Sequence, residues 1–153
     1  MSTALDPPSP PRAPLAFRVG ITGHPPNRLV KADMAGLAGV LRDVLAIVKG
    51  ATEGFDKEHV LYAEGNALLR AVSPLAEGSD RVFAEAALDL GFALCCPMPF
   101  SHDDFVKDFT EPDSQKRFEQ LLERARRNRE STIFELDGVA GIRARTPRTA
   151  TSS

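Results

Sequence analysis

The stretch Leu68-Leu69-Arg70-Ala71-Val72-Ser73-Pro74-Leu75-Ala76-Glu77-Gly78-Ser79-Asp80-Arg81-Val82-Phe83-Ala84-Glu85-Ala86-Ala87-Leu88-Asp89-Leu90-Gly91-Phe92-Ala93-Leu94-Cys95-Cys96 decides the fold. Leu68 to Ser73 reads as a strand, and Pro74 and Gly78 punctuate the turn that follows it. Ser79 or Asp80 is placed to cap a helix that runs through Leu90 and stops at Gly91. Phe92 to Cys96 is apolar on both faces, as a strand buried in a parallel sheet is, and Pro97 and Pro99 are expected to close it. Strand, tight turn, helix, strand is the repeating unit of a parallel sheet with right-handed crossovers.

Working outward, Phe17 to Thr22 supplies an earlier strand, stopped by Gly23 and the pair Pro25-Pro26. Asp33 can cap a helix in which Met34, Leu37, Val40, Leu41, Val44, Leu45 and Val48 recur at spacings of three and four. Residues 49 to 68 read as a variable connection with a short helical extension near His59 to Ala63. Downstream of an acidic loop, Asp113 or Ser114 caps a last helix with Phe118, Leu121, Leu122 and Ala125 inward. Its basic end, Arg124 to Arg129, suits the negative pole of a helix dipole. Thr132 to Leu136 offers one more short strand. The alternation predicts an α/β, three-layer Rossmann-like domain over residues 16–137, with a parallel sheet that could be incomplete. Prolines concentrated between Pro7 and Pro14 mark residues 1–15 as a disordered tail, and the polar, basic stretch 138–153 reads as another.

A chain of 153 residues has room for one domain with its own core. Its 42% apolar and 26% charged residues lie in the globular range, and a net charge of -2 carries no polyanion-binding signature. Nucleic acid is therefore not an expected partner. Two adjacent cysteines cannot frame a disulfide-rich secreted domain, the first sixteen residues lack the apolar core of a signal peptide, and no run of 18 apolar residues occurs. These features predict a cytoplasmic protein that does not enter a membrane.

In open parallel sheets, ligands bind where strand ends meet helix N-termini, so the loops after the first two strands are the candidate site. A helix start offers unsatisfied amides and the positive end of the dipole, which together attract anions. Gly78 permits close approach of a phosphate or carboxylate, Ser79 adds a hydroxyl, and Arg81 adds charge one turn in. The competing structural reading has Ser79 or Asp80 as a cap and Arg81 paired with Glu77 or Glu85. The candidate ligand-binding set is Thr22, Gly23, His24, Asn27, Arg28, Ser73, Glu77, Gly78, Ser79, Asp80 and Arg81. Only under an enzymatic reading would Glu77 or Asp80 act as general base. Cys95 and Cys96 read as packing residues. His102, Asp103, Asp104 and Asp108 lack the spacing of a metal cage, and no metal or cofactor is expected. The chain contains no P-loop, GxGxxG, GxSxG or CxxC.

The segments Val19-Gly20-Ile21-Thr22-Gly23-His24 and Ser73 to Ala87, followed by Leu90-Gly91 and Pro97-Met98-Pro99-Phe100, resemble the SLOG superfamily of Rossmann-like domains. That superfamily includes the Lonely Guy phosphoribohydrolases and the DNA-processing A recombination mediators. The resemblance covers roughly Phe17 to Ala125 and is most specific in Leu75 to Arg81. It implies a bacterial module that binds a nucleotide or nucleotide-derived ligand, without catalysis. Alternatives are a nucleotide N-glycosidase or phosphoribohydrolase, and a protein-interaction or single-strand-binding module. Two departures stand out. His24 is followed by Pro25 where related domains commonly carry arginine, and no Gly-Gly pair supplies the phosphate-binding turn of the superfamily's second half. A chain without that half leaves an edge on its first strand. The expectation is a homo-oligomer, or a partner protein that completes the sheet.

Overall fold

Four strands, β1 (Ala16–Gly20), β2 (Leu68–Val72), β3 (Ala93–Met98) and β4 (Thr132–Glu135), form one sheet in the order β1-β2-β3-β4, with every neighbouring pair parallel. The computed structural model describes residues 10–24, 26–29, 33–55 and 61–138. Parallel neighbours cannot be joined by hairpins, and each connection here contains a helix. Between β1 and β2 lie α1 (Pro26–Leu29) and α2 (Met34–Phe55), and between β2 and β3 lies α3 (Ser79–Asp89). The last connection holds α4 (His102–Phe105), a 3-10 turn at Val106–Asp108, and α5 (Ser114–Arg126). The chain is thus an α/β protein with a four-stranded parallel sheet flanked by helices, consistent with the expected Rossmann-like three-layer class.

Alternation along the strands decides which residues reach the core. Leu69 and Ala71 of β2 face the same side as Leu94, Cys96 and Met98 of β3, because Ala71 is in register with Leu94. They meet Phe83, Ala84 and Ala87 of α3, Phe118, Leu121, Leu122 and Ala125 of α5, and Leu45 of α2 in one core. The alanines of α3 let this helix lie close to the sheet between α2 and α5, both of which it packs against. Burying each Phe or Leu contributes about 1.5–3 kcal/mol, so the aromatic and leucine positions dominate this core. The four inward residues expected on α5 are all buried. Asp33 caps α2 as expected, its Oδ1 accepting from the Gly36 amide at 2.9 Å.

Several boundaries differ from expectation, each for a physical reason. Helix α2 continues to Phe55, because the glycines at 50 and 54 cost only about 1 kcal/mol each in a helix whose inner face is already packed. Val40 and Val44, expected inward, are exposed, and Leu45 and Thr52 are the buried positions. Of the helical extension expected near His59 to Ala63, residues 61–63 are not helical, and 59–60 lie outside the described residues. β3 runs through Pro97 to Met98. β2 is paired only as far as Cys95, whose carbonyl accepts from the Ser73 amide, so the donor that Pro97 lacks falls past the end of β2. The proline-rich tail also ends earlier than residue 15. Leu15 is buried, and the carbonyls of Ala13 and Leu15 accept from the amides of Ala63 and Leu68. Residues 1–9 and 139–153 of the two expected tails lie outside the described residues. β4 pairs with β3, so among the described residues β1 is the strand at one end of the sheet.

Candidate functional site

The loops after β1 and β2 meet at the carboxyl ends of those strands, where α3 begins. The approach is close: a Cβ at Gly23 would overlap the Ser79 hydroxyl, fall 2.7 Å from Ser79 Cβ and 3.7 Å from Asp80 Oδ1. Only glycine lets the first loop lie against the start of α3. The second loop is a strained one, with Leu75 at φ 61 and Gly78 at φ 99. Ser73 holds its first turn, accepting from the Leu75 amide at 3.1 Å and donating to the Asp80 carbonyl at 3.1 Å.

Neither Ser79 nor Asp80 caps α3. The N-cap is Gly78, with no side-chain cap hydrogen bond, and Ser79 is the first helical residue. The Ser79 hydroxyl is buried and has no hydrogen-bond partner among the described residues. The reason is backbone conformation: Gly78 takes a φ that a side-chain-bearing cap residue avoids, which displaces the helix start by one residue. The uncapped amides and the dipole of an 11-residue helix therefore point into the space beside the loop.

Arg81 is 2% exposed. Its Nε donates to the Leu75 carbonyl at 2.9 Å, and one terminal nitrogen donates to the Ser114 carbonyl at 2.9 Å and to Ser114 Oγ at 2.6 Å. The other terminal nitrogen is buried without a partner among the described residues, and the Phe109 ring lies 4.4 Å from the guanidinium carbon. The expected alternative of an Arg81 pair with Glu77 or Glu85 is not formed. Instead Arg81 ties the β2 loop to the start of α5 and keeps one donor unspent.

Glu77 is occupied elsewhere. Its carboxylate accepts from the Thr110 amide at 2.9 Å, the Thr110 hydroxyl at 2.9 Å and the Glu111 amide at 3.0 Å. Burial alone would raise this carboxyl, but hydrogen bonds from Ser114, Glu111 and Thr110 outweigh it and hold it below the ordinary range. A carboxylate saturated in this way is a loop latch and a poor general base. Asp80 is different: burial pushes its carboxyl above the ordinary value.

Of these residues Gly78 and Arg81 border a cavity of about 410 Å³, whose lining also holds Pro26, Leu29, Met34, Val82, Glu111 and Arg117; Gly23, Ser73, Glu77, Ser79 and Asp80 are not part of that lining. Gly78 and Arg81 come from the expected set. Thr22, His24, Asn27 and Arg28 sit on the exposed side of the first loop and of α1, outside this lining. Sequence reasoning missed the apolar wall of Pro26, Leu29, Met34 and Val82, and it missed Arg117. Arg117 gave no signal, because nothing local to α5 places its Arg117 beside a loop 36 positions earlier in the chain, at Arg81. A larger hollow of about 760 Å³, lined by Lys49, Thr52, Glu53 and Asn66 among others, lies at the opposite end of the strands. Its lysine already donates to the Leu90 carbonyl at 3.0 Å, and it holds no orphaned polar atom, so the smaller cavity is the better site.

Among the described residues no group of His, Cys, Asp and Glu is arranged to hold a metal ion. Cys95 and Cys96 are free thiols on opposite faces of β3, and burial, with Cys95 beside it, pushes the Cys96 thiol up to about 12. No described helix is long and apolar enough to cross a membrane. Comparison with family models, with curated proteins and with solved structures finds no match.

Proposed function

We propose that this domain binds a nucleotide or nucleotide-derived ligand in the cavity between α1, the start of α2, α3 and the start of α5, and that it acts as a non-catalytic, cytoplasmic ligand sensor. The observation that carries the reading is the unspent buried nitrogen of Arg81, beside the uncapped start of α3. A buried charged donor without an acceptor costs more than a neutral one, and an anionic oxygen is the group that would satisfy it together with free helix amides. The wall of Pro26, Leu29, Met34 and Val82 suits the flat apolar body attached to such an anion. The resemblance of Leu75 to Arg81 to SLOG domains supports the same ligand class.

Thermal denaturation across a panel of nucleotides tests this. A ligand at about 100 times its Kd stabilises the fold by about 2.7 kcal/mol, a shift that is easily read. No stabilisation by any nucleotide would refute the reading. The half-buried Asp80, with its raised carboxyl, favours a second reading as an N-glycosidase-like hydrolase in which Asp80 serves as base. Release of free base from a nucleotide would distinguish it. A further part of the proposal is that the sheet is completed by a second copy or a partner protein beside β1. The exposed Val40, Val44 and Ile47 of α2 support that arrangement.

A further inference from the structure

The sheet has a second face that the helices leave open. With the strands in the order β1-β2-β3-β4, right-handed crossovers place all connections on one side. Leu45 of α2, Phe83 of α3, Phe105 of α4 and Phe118 of α5 accordingly join one core there. Alternation turns Leu68, Val72, Cys95, Pro97 and Phe134 to the other side, where none of them belongs to that core and none is fully buried. A parallel sheet is as a rule covered on both faces, because its strands are apolar on both. Arg18 of β1 and Arg70 of β2 stand in register on this open face. Arg70 reaches Glu130 only at 3.4 Å, and Arg18 has no ion pair among the described residues.

What covers this face has to be apolar and has to bring a carboxylate. Residues 139–153 do not fit, since they carry three arginines and no acidic side chain. Two open faces stacked on each other do not fit either, since each brings the same pair of arginines. α2 fits. Among the described residues it is the helix that turns large apolar side chains outward, with Val40, Val44 and Ile47 at helical spacing. Asp43 lies exposed in the same stripe without an ion pair among the described residues, and Arg42 beside it is spent on Asp89. We infer that the outward stripe of α2 in one copy docks on the open sheet face of a second copy, with Asp43 meeting Arg18 and Arg70, so that a neighbour supplies the missing layer. This rests on the second-copy part of the reading above and extends it from the edge of the sheet to its face. The two surfaces are unlike, so the contact generates a ring or a stack rather than a closed pair.

The experiment is light scattering of the full chain over a range of concentrations, with the Cys95 thiol as reporter. Cys95 lies on the open face, whereas Cys96 is buried with its thiol pushed up to about 12, so an aromatic disulfide reagent at neutral pH reads Cys95. The mass should rise with concentration past that of two chains, and Cys95 should react about tenfold more slowly once about nine-tenths of the faces are covered. Val44→Glu with Ile47→Lys removes the helix surface, and Arg18→Glu with Phe134→Glu removes the sheet surface. Each of these variants alone should be a monomer with a fast Cys95, and because all four positions are exposed each should melt near the wild type. Mixed in equal amounts they should form a two-chain complex, since each keeps the surface that the other lacks. A sheet-surface variant that still assembles, or a mixture that stays monomeric, overturns the pairing of unlike surfaces. Wild-type assembly with Cys95 as reactive as in the monomers puts the contact elsewhere, which overturns this inference and leaves the second-copy reading intact. A slow Cys95 in the monomeric variants would mean that a segment of the same chain covers the face, and would overturn it too. If the wild type is a monomer at every concentration, both readings fail.

Discussion

Arg81 does two things at once, and the first restricts how the second can be probed. Truncation to alanine strands the Leu75 carbonyl and Ser114 in a buried place, and it opens a void beside Phe109. We expect Arg81→Ala to lose about 2–4 kcal/mol of stability in urea denaturation, because two buried acceptors are left unmade and packing is lost. A loss within the error of a surface substitution would mean that the guanidinium is not the tether described. Gly23 permits an equally local test. Gly23→Ala should cost about 1–3 kcal/mol, since the added carbon collides with Ser79. Combining it with Ser79→Gly removes both colliding atoms, so the double variant should regain stability relative to Gly23→Ala, after allowance for the cost of glycine in a first helical turn. Strict additivity of the two losses would show that the two loops do not touch.

At the scale of elements, two carboxylate contacts, one at the loop before α5 and one between α4 and α5, respond to pH in opposite directions. Glu77 pins the 110–111 backbone that leads into α5. Its folded-state carboxyl lies below the ordinary value, so its contribution is present above the unfolded pKa and is lost as pH falls through the folded one. Glu77→Gln should therefore lower the melting temperature at neutral pH and flatten its acid limb. His102, at the start of α4, faces Asp103 on its own element at 3.2 Å and Glu119 of α5 at 2.6 Å, and its backbone amide donates to Glu135 of β4. Asp103 raises the imidazole pKa, burial opposes this, and Glu119 adds to the rise. The sign is the reverse of the Glu77 case. The His102 contribution is full below the unfolded imidazole pKa and is lost as pH rises through the raised folded value. Melting curves from about pH 5 to pH 8 should show the stability difference between wild type and His102→Ala narrowing as pH rises. A difference that grows toward pH 8 would mean that the imidazole is not charged in the fold.

For the whole molecule, the open question is assembly. α2 carries Val40, Val44 and Ile47 outward, with Ile47 72% exposed, and among the described residues no strand flanks the second side of β1. Light scattering at micromolar concentration should give a mass above that of one 16.6 kDa chain, and Val44→Glu with Ile47→Lys should return it to the monomer. A wild-type monomer at these concentrations would remove the second copy as the sheet-completing partner. Class and order of elements were legible in the residues themselves. The strand-turn-helix-strand run from Leu68 to Cys96 and the inward set Phe118, Leu121, Leu122 and Ala125 follow from period and punctuation, which are local properties. The placement of Gly23 and Gly78 at one end of the sheet also followed, because a parallel crossover brings successive strand ends together. What the sequence could not decide was how each polar group would be spent. That depends on neighbours distant in the chain: Glu77 went to the amides at 110 and 111, Arg81 to Ser114, and Arg117 came to stand beside Arg81. The N-cap also moved to Gly78, because the loop turns into α3 at a φ of 99, a conformation that glycine takes and a side-chain-bearing cap residue avoids.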